Sequence, residues 1–133
     1  MAYYIDTSAA MKLVLEESES SKLRPWVRSH ASELVSSDLL RTELFRGARR
    51  IRADAMPRVR GVLDSITLFP LPTSTFERAA ELEPDVLRTL DALHLAAALE
   101  LGDDLDGIVT YDERLAQAAA RHGVTVLSPG APA

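Results

Sequence analysis

Residues 107–127 read GIVTYDERLAQAAARHGVTVL. Gly107 to Tyr111 is a short, mostly apolar run that stops at a charge, Asp112. A helix is expected from Glu113 to His122, with Gly123 ending it. Val124 to Leu127 then returns as a second strand. A strand, a helix and a strand in succession mark a parallel sheet flanked by helices, so the fold class is α/β.

The rest of the chain repeats this alternation. Ala2-Tyr3-Tyr4-Ile5 reads as a first strand ending at Asp6, after which Thr7 or Ser8 can cap a helix through Met11 and Leu15. Glu19 to His30 reads as a second helix, with Pro25 predicting a kink or a late start. Leu34 to Ser37 is the next strand, and Ser37 or Asp38 would cap the helix carrying Leu39, Leu40, Leu44 and Phe45 on one face. That helix leads into an arginine-rich stretch, and a further helix ends near Leu63. Ile66 to Leu71 is expected as a strand bounded by Pro70 and Pro72. Ser74 and Glu77 have the spacing of a capping box for a helix that Pro84 stops. Asp85 to Leu101, rich in Leu and Ala, is expected as the strongest helix, terminated by Gly102.

With 133 residues and no Gly/Ser linker, the chain is expected to be one domain, residues 1–133, with 128–133 a loose tail. Apolar residues at 47% and charged residues at 26% suit a globular core rather than disorder. The absence of cysteine removes disulfides, thiolate catalysis and Cys-based zinc sites. Asp6 and Lys12 interrupt the first apolar residues, so neither a signal peptide nor a membrane span is expected, and a cytoplasmic location follows.

A net charge of −5 argues against simple nucleic-acid binding, but the charges are unevenly placed. Between Arg41 and Arg60 there are seven arginines against Glu43 and Asp54, so this stretch carries +5 and the remainder −10. Within it Arg41, Arg46, Arg49 and Arg50 are candidates for phosphate contact. A solvated helix face reads equally well there.

Two strands carry an aspartate directly after their apolar run, Asp6 and Asp112. The carboxyl ends of strands in an open parallel sheet line the crevice where ligands bind. Glu43 lies about one turn into a helix that starts at the same edge. Asp91 places a charge among Leu87, Leu90, Leu93, Leu95 and Ala98. Four acids brought together would repel, by about 4 kcal/mol for a pair ~4 Å apart at an effective dielectric near 20. Their company needs protons, arginines or a cation. Hard oxygen ligands without Cys or clustered His suit Mg²⁺ or Mn²⁺, and that donor set suits phosphodiester hydrolysis. Asp6 and Asp112 could equally be helix N-caps, and Asp91 a first-turn residue if its helix begins near Thr89.

Two features imitate other sites. Asp104-x-Asp106-Gly107 with Glu113 copies part of a calcium loop, but its first carboxylate position would fall on Gly102. His94 follows Asp91 by three positions, yet no other histidine has ligand spacing to it, so it reads as helix packing.

Four segments, in order, resemble those of the PIN-domain nucleases. These are Tyr3-Tyr4-Ile5-Asp6-Thr7-Ser8-Ala9, Ser36-Ser37 through Glu43-Leu44-Phe45-Arg46-Gly47, Leu90-Asp91-Ala92-Leu93-His94-Leu95-Ala96-Ala97-Ala98, and Val109-Thr110-Tyr111-Asp112-Glu113-Arg114-Leu115. They span residues 3 to 115, and the short single-domain form is most similar to the VapC toxins of toxin–antitoxin pairs. The resemblance implies a three-layer α/β/α sandwich with a mainly parallel central sheet and Mg²⁺- or Mn²⁺-dependent endonucleolytic cleavage of RNA. It implies a homodimer, and a small cognate antitoxin covering the active-site groove. Asp6, Glu43, Asp91 and Asp112 fall on the family's acidic positions, with Asp6, Asp91 and Asp112 as metal ligands and Glu43 orienting water or a second ion. Thr110 and Ser8 fall where hydroxyls support the site. Two rival readings are a phospho-signalling receiver domain and a non-catalytic interaction module on the same fold. The receiver needs an acidic pair after the first strand and a late lysine. Asp6 has no acidic neighbour, and the only lysines are Lys12 and Lys22.

Overall fold

The computed structural model describes residues 1–132; Ala133, the end of the expected tail, lies outside the described residues. Five strands, β1 (Ala2–Ile5), β2 (Leu34–Ser37), β3 (Thr67–Phe69), β4 (Leu105–Val109) and β5 (Val126–Leu127), form one sheet. Their order is β3-β2-β1-β4-β5 and every pairing is parallel. Between them run α1 (Thr7–Val14), α2 (Ser20–Ser29), α3 (Leu39–Ile51), α4 (Met56–Asp64), α5 (Thr73–Glu81), α6 (Thr89–Leu99) and α7 (Glu113–Arg121).

Successive side chains of a strand point to opposite faces, and here both faces are covered. Tyr4 and Ile108 enter one core with Leu95, Ala97 and Ala98 of α6 and Leu115, Ala118 and Ala119 of α7. Ile5 and Val109 enter the other, with Ala9, Ala10 and Val14 of α1, Leu40 and Leu44 of α3, and Val59 and Leu63 of α4. The result is the three-layer α/β/α sandwich with a parallel sheet that the alternation and the resemblance imply. Burying each Leu, Ile or Val stabilises by about 1.5–3 kcal/mol, which is why the central strands tolerate so few polar residues. At Gly107 a Cβ would run into the side chain of Leu127 and stand 3.0 Å from the Thr125 carbonyl, so glycine lets β5 approach β4. No helix among the described residues is long and apolar enough to cross a membrane.

Several local expectations need correction. The strong helix begins at Thr89, the alternative posed for Asp91, and not at Asp85: residues 84–88 form a turn closed by Leu87 N–H to the Pro84 carbonyl, and Arg88 is extended. Ser74 and Glu77 form no capping box, because α5 starts two residues early and Pro72 stands at the cap. Asp38 does not cap α3 with its side chain, which instead accepts from Arg41 at 2.9 Å. Pro25 lies within α2, which starts at Ser20, so there is no late start. The start of the expected tail is tied back: Tyr111 donates to the Pro129 carbonyl and Ser128 to the Thr110 carbonyl, both at 2.6 Å.

Candidate active site

β1 and β4 are neighbours, so the residues that follow them meet at one edge of the sheet. Asp6 ends β1 and caps α1, its carboxylate accepting from Ala9 N–H at 3.0 Å. The same group accepts from the Ser8 hydroxyl at 2.8 Å and from the Thr110 hydroxyl at 2.6 Å. It is only 3% exposed. Burial pushes its carboxyl above the ordinary range, opposed by the hydrogen bonds from Thr110, Ala9 and Ser8.

Asp112 repeats the device one strand over, capping α7 through Leu115 N–H at 3.0 Å. Two hydroxyls stitch the repeats together. Thr110 Oγ1 donates to Asp6 and accepts from Asp112 N–H at 3.1 Å, while Ser8 Oγ donates to Asp6 and accepts from Tyr111 N–H at 2.9 Å. The alternatives posed for these aspartates, helix cap or crevice acid, are therefore one arrangement. Capping fixes each carboxylate at the sheet's edge.

Asp91 sits in the first turn of α6, where the helix dipole favours an anion. Arg88 joins it to Asp112: Nε donates to Asp91 at 3.0 Å and the terminal nitrogen to Asp112 at 2.6 Å. Glu43, from α3, accepts from the Thr7 hydroxyl at 2.9 Å and lies 2.6 Å from His94 Nε2. His94 Nδ1 is 2.7 Å from the Tyr4 hydroxyl, which is 2.9 Å from Ser37 Oγ. His94 is one turn beyond Asp91 on α6. Hydrogen bonds thus link Asp6 to Asp112 through Thr110 and Asp112 to Asp91 through Arg88, while a separate row joins Glu43 to His94. Thr7, next to Asp6 in the chain, brings Glu43 to the same edge.

They do not form a ready-made cage. Among the described residues, no three His, Asp or Glu side chains stand close enough together to hold a metal ion. Arg88 spans two of them, and Asp6 already receives three donors.

The arginine strip divides. Arg46 and Arg50 line a groove of about 690 Å³ that reaches Thr7 and Glu43 and is walled by Met11, Phe76 and Leu90. Arg49 lines an adjoining hollow with Phe45 and Met56. Arg41 lies outside both and is held by Asp38 at its exposed corner, Arg52 pairs with Asp54, and Arg60 covers the Phe45 ring. Sequence reading missed Arg88, Thr7 and Tyr4 and took His94 for packing. The signal was present in part, since Arg88 and His94 stand three residues on either side of Asp91.

Residues 3–121 match the family model described as the PIN domain. The chain is 37% identical over 132 residues to Ribonuclease VapC47 of Mycobacterium tuberculosis (strain CDC 1551 / Oshkosh), covering 96% of this chain and 97% of that protein. It is 39% identical over 128 residues to Ribonuclease VapC46 of Mycobacterium tuberculosis (strain ATCC 25618 / H37Rv), covering 96% and 98%. Among solved structures, Mycobacterium tuberculosis VapC20, described as a sarcin-ricin loop cleaving toxin, superposes with a TM-score of 0.76 at 12% identity over 96% of this chain and 100% of that one. PAE2754 from Pyrobaculum aerophilum superposes with a TM-score of 0.64 at 23% identity, covering 89% and 86%. With both faces of its parallel sheet covered and its acids gathered at one edge, the chain belongs to the PIN-domain family, among relatives named VapC.

Proposed function

We propose that this chain is a metal-dependent endoribonuclease, the toxin of a toxin–antitoxin pair, hydrolysing RNA phosphodiester bonds at the Asp6, Glu43, Asp91 and Asp112 cluster. The observation that carries the reading is the placement of these acids at the sheet edge beside an arginine-lined groove. The relatives' names as VapC ribonucleases support it.

The donor chemistry fits a hard dication. Carboxylate and hydroxyl oxygens surround the edge, and the positive charge between Asp91 and Asp112 is supplied here by Arg88. Asp6, Asp91 and Asp112 would hold Mg²⁺ or Mn²⁺ in competition with Arg88. Such an ion supplies charge neutralisation and a more acidic bound water. The protein's own part is positional. Ser8, Thr110 and the α1 N-terminus fix the Asp6 carboxylate, and the α7 N-terminus fixes Asp112. Glu43 takes both the Thr7 and His94 bonds on Oε1, and among the described residues Oε2 takes none, leaving it to accept from an attacking water. Arg46 and Arg50 hold the RNA backbone at the groove.

A small antitoxin covering the same groove suits its mixed surface, with Phe76 49% and Leu90 47% exposed beside the arginines. We also assign the chain to the cytoplasm as a homodimer, following the resemblance. The receiver reading finds no support, since Lys12 is held by Glu19 at 2.7 Å and no acid adjoins Asp6 in sequence.

The test is incubation of the purified chain with total RNA in Mg²⁺, in Mn²⁺ and in EDTA. Cleavage with either ion and none in EDTA is expected; equal cleavage in EDTA ends the metal reading. Neutralising Arg46 or Arg50 to Gln should weaken binding alike across RNA sequences and flatten the salt dependence by about 0.7 of a log unit per contact. Arg41→Gln should leave both unchanged, because Arg41 serves Asp38. A salt slope unaltered in the Arg46 and Arg50 variants would remove the groove as the RNA path.

A further inference from the structure

His94 is 2% exposed, and both its ring nitrogens are engaged. An imidazole withdrawn from water this completely is costly unless each nitrogen finds a partner. Its partners differ in kind. Nε2 faces Glu43 Oε1, an acceptor when ionised, so that nitrogen carries the hydrogen and donates. In the neutral ring Nδ1 must then accept, and the Tyr4 hydroxyl at 2.7 Å donates to it. The Tyr4 oxygen in turn accepts from Ser37 at 2.9 Å.

Every donor in this row points toward the carboxylate, an order in which each bond polarises the next. The row also crosses the molecule. Ser37 ends β2, Tyr4 lies in β1, His94 in α6 and Glu43 in α3, so it ties the two helical layers together at the edge of the sheet. The Tyr4 and His94 rings meet edge to face, centroids 5.7 Å apart, which fixes the plane of the imidazole.

We propose that His94 is a positioning residue of the nuclease site: oriented by Ser37 and Tyr4, it holds Glu43 Oε1 so that Oε2 faces the groove. The inference rests on the nuclease reading of this site and goes beyond its four acids. Glutamate has three side-chain torsions, and a half-exposed one left alone populates several rotamers. Two donors on one oxygen select a single arrangement and leave the other oxygen for water. His94 itself reaches neither the solvent nor an RNA chain in the groove. Its loss should therefore lower turnover and leave substrate binding alone.

The experiment uses the full chain and a fluorogenic mixed-sequence single-stranded RNA oligonucleotide in Mn²⁺. His94→Leu, His94→Gln and Tyr4→Phe are compared in the native and Glu43→Gln backgrounds, with thermal melts alongside. Glu43→Gln should lower kcat about a hundredfold and leave measurable cleavage. His94→Leu should lower kcat about thirtyfold, and Tyr4→Phe about fivefold, with KM within twofold. His94→Gln should recover part of the loss, since its amide N–H reaches about as far as Nε2. In the Glu43→Gln background none of the three should cost anything more. If His94→Leu fails to fold, Tyr4→Phe, which removes one oxygen and little volume, carries the same comparison. Equal losses in both backgrounds, or a rise in KM in place of a fall in kcat, overturn the proposal. If Glu43→Gln is fully active while Asp6→Asn is dead, the nuclease reading stands and the positioning role falls. A native chain that cleaves nothing removes both.

Discussion

Asp6→Asn is expected to abolish RNA cleavage, by on the order of 10³-fold, and at the same time to make the protein harder to unfold at neutral pH. The two effects share a cause. Burial raises the Asp6 carboxyl above its ordinary value despite the hydroxyl and amide donors around it, so the folded state favours the neutral acid. A carboxyl shifted in this direction gives its full stabilisation below the unfolded value, near pH 4 on average. That contribution is lost as pH rises through the raised folded value. Above it, the fold carries an ionised group it would rather not hold. Asparagine keeps the Ala9 N–H bond through its carbonyl and can donate to the Thr110 oxygen, and it has no charge to bury. Melts in EDTA should show Asp6→Asn more stable than the native chain by several degrees at pH 8, the gap closing toward pH 4. A variant less stable at every pH would show that the charge is not strained there. Sites that must bind charge commonly hold such strain.

Asp112 predicts the opposite stability effect from the same position one strand away. It is 23% exposed, caps α7 through Leu115 N–H and receives Arg88. Asp112→Ala should remove the cap, costing about 1 kcal/mol, or about 3–5 °C in Tm for a chain of this size. Asp112→Asn keeps a capping oxygen and should melt within about 1 °C of the native chain. Both should lose cleavage by about 10²–10³-fold, because both lose the second crevice carboxylate. Full activity in Asp112→Asn, measured on the same RNA, would take Asp112 out of the site. Equal melting of the Ala and Asn variants would take it out of the cap.

How legible this was follows from the range of the forces involved. β1 and β2 fall where the sequence predicts them, at Ala2–Ile5 and Leu34–Ser37, because strands buried on both faces announce themselves by composition. The carboxylates after β1 and β4 were visible for the same reason: a charge closing an apolar run marks the sheet's edge. What failed depended on neighbours distant in sequence. A helix start near Thr89 is the alternative at Asp91, but nothing local shows that Arg88, just before that start, bridges Asp91 and Asp112. Ser74 and Glu77 have capping-box spacing, yet the helix starts at Thr73 and leaves them no role. Arg41 belongs to the basic strip by composition and to Asp38 by geometry. His94 looked like packing, and it is indeed buried. Only Tyr4, 90 residues away in sequence, and Glu43, 51 away, show what its nitrogens do.

The central position of β1 has a consequence for when the site is assembled. β1 leaves the ribosome well ahead of β4, the strand that completes the crevice. The Thr110 bond to Asp6 spans 104 residues, and the Arg88 bond to Asp112 forms only after both have emerged. Contacts of such separation form late, once the intervening chain is available to close the loop. A nascent chain therefore holds its acids apart until β4 and α7 have emerged. On the proposed function, synthesis would run nearly to the end of the domain before cleavage could begin.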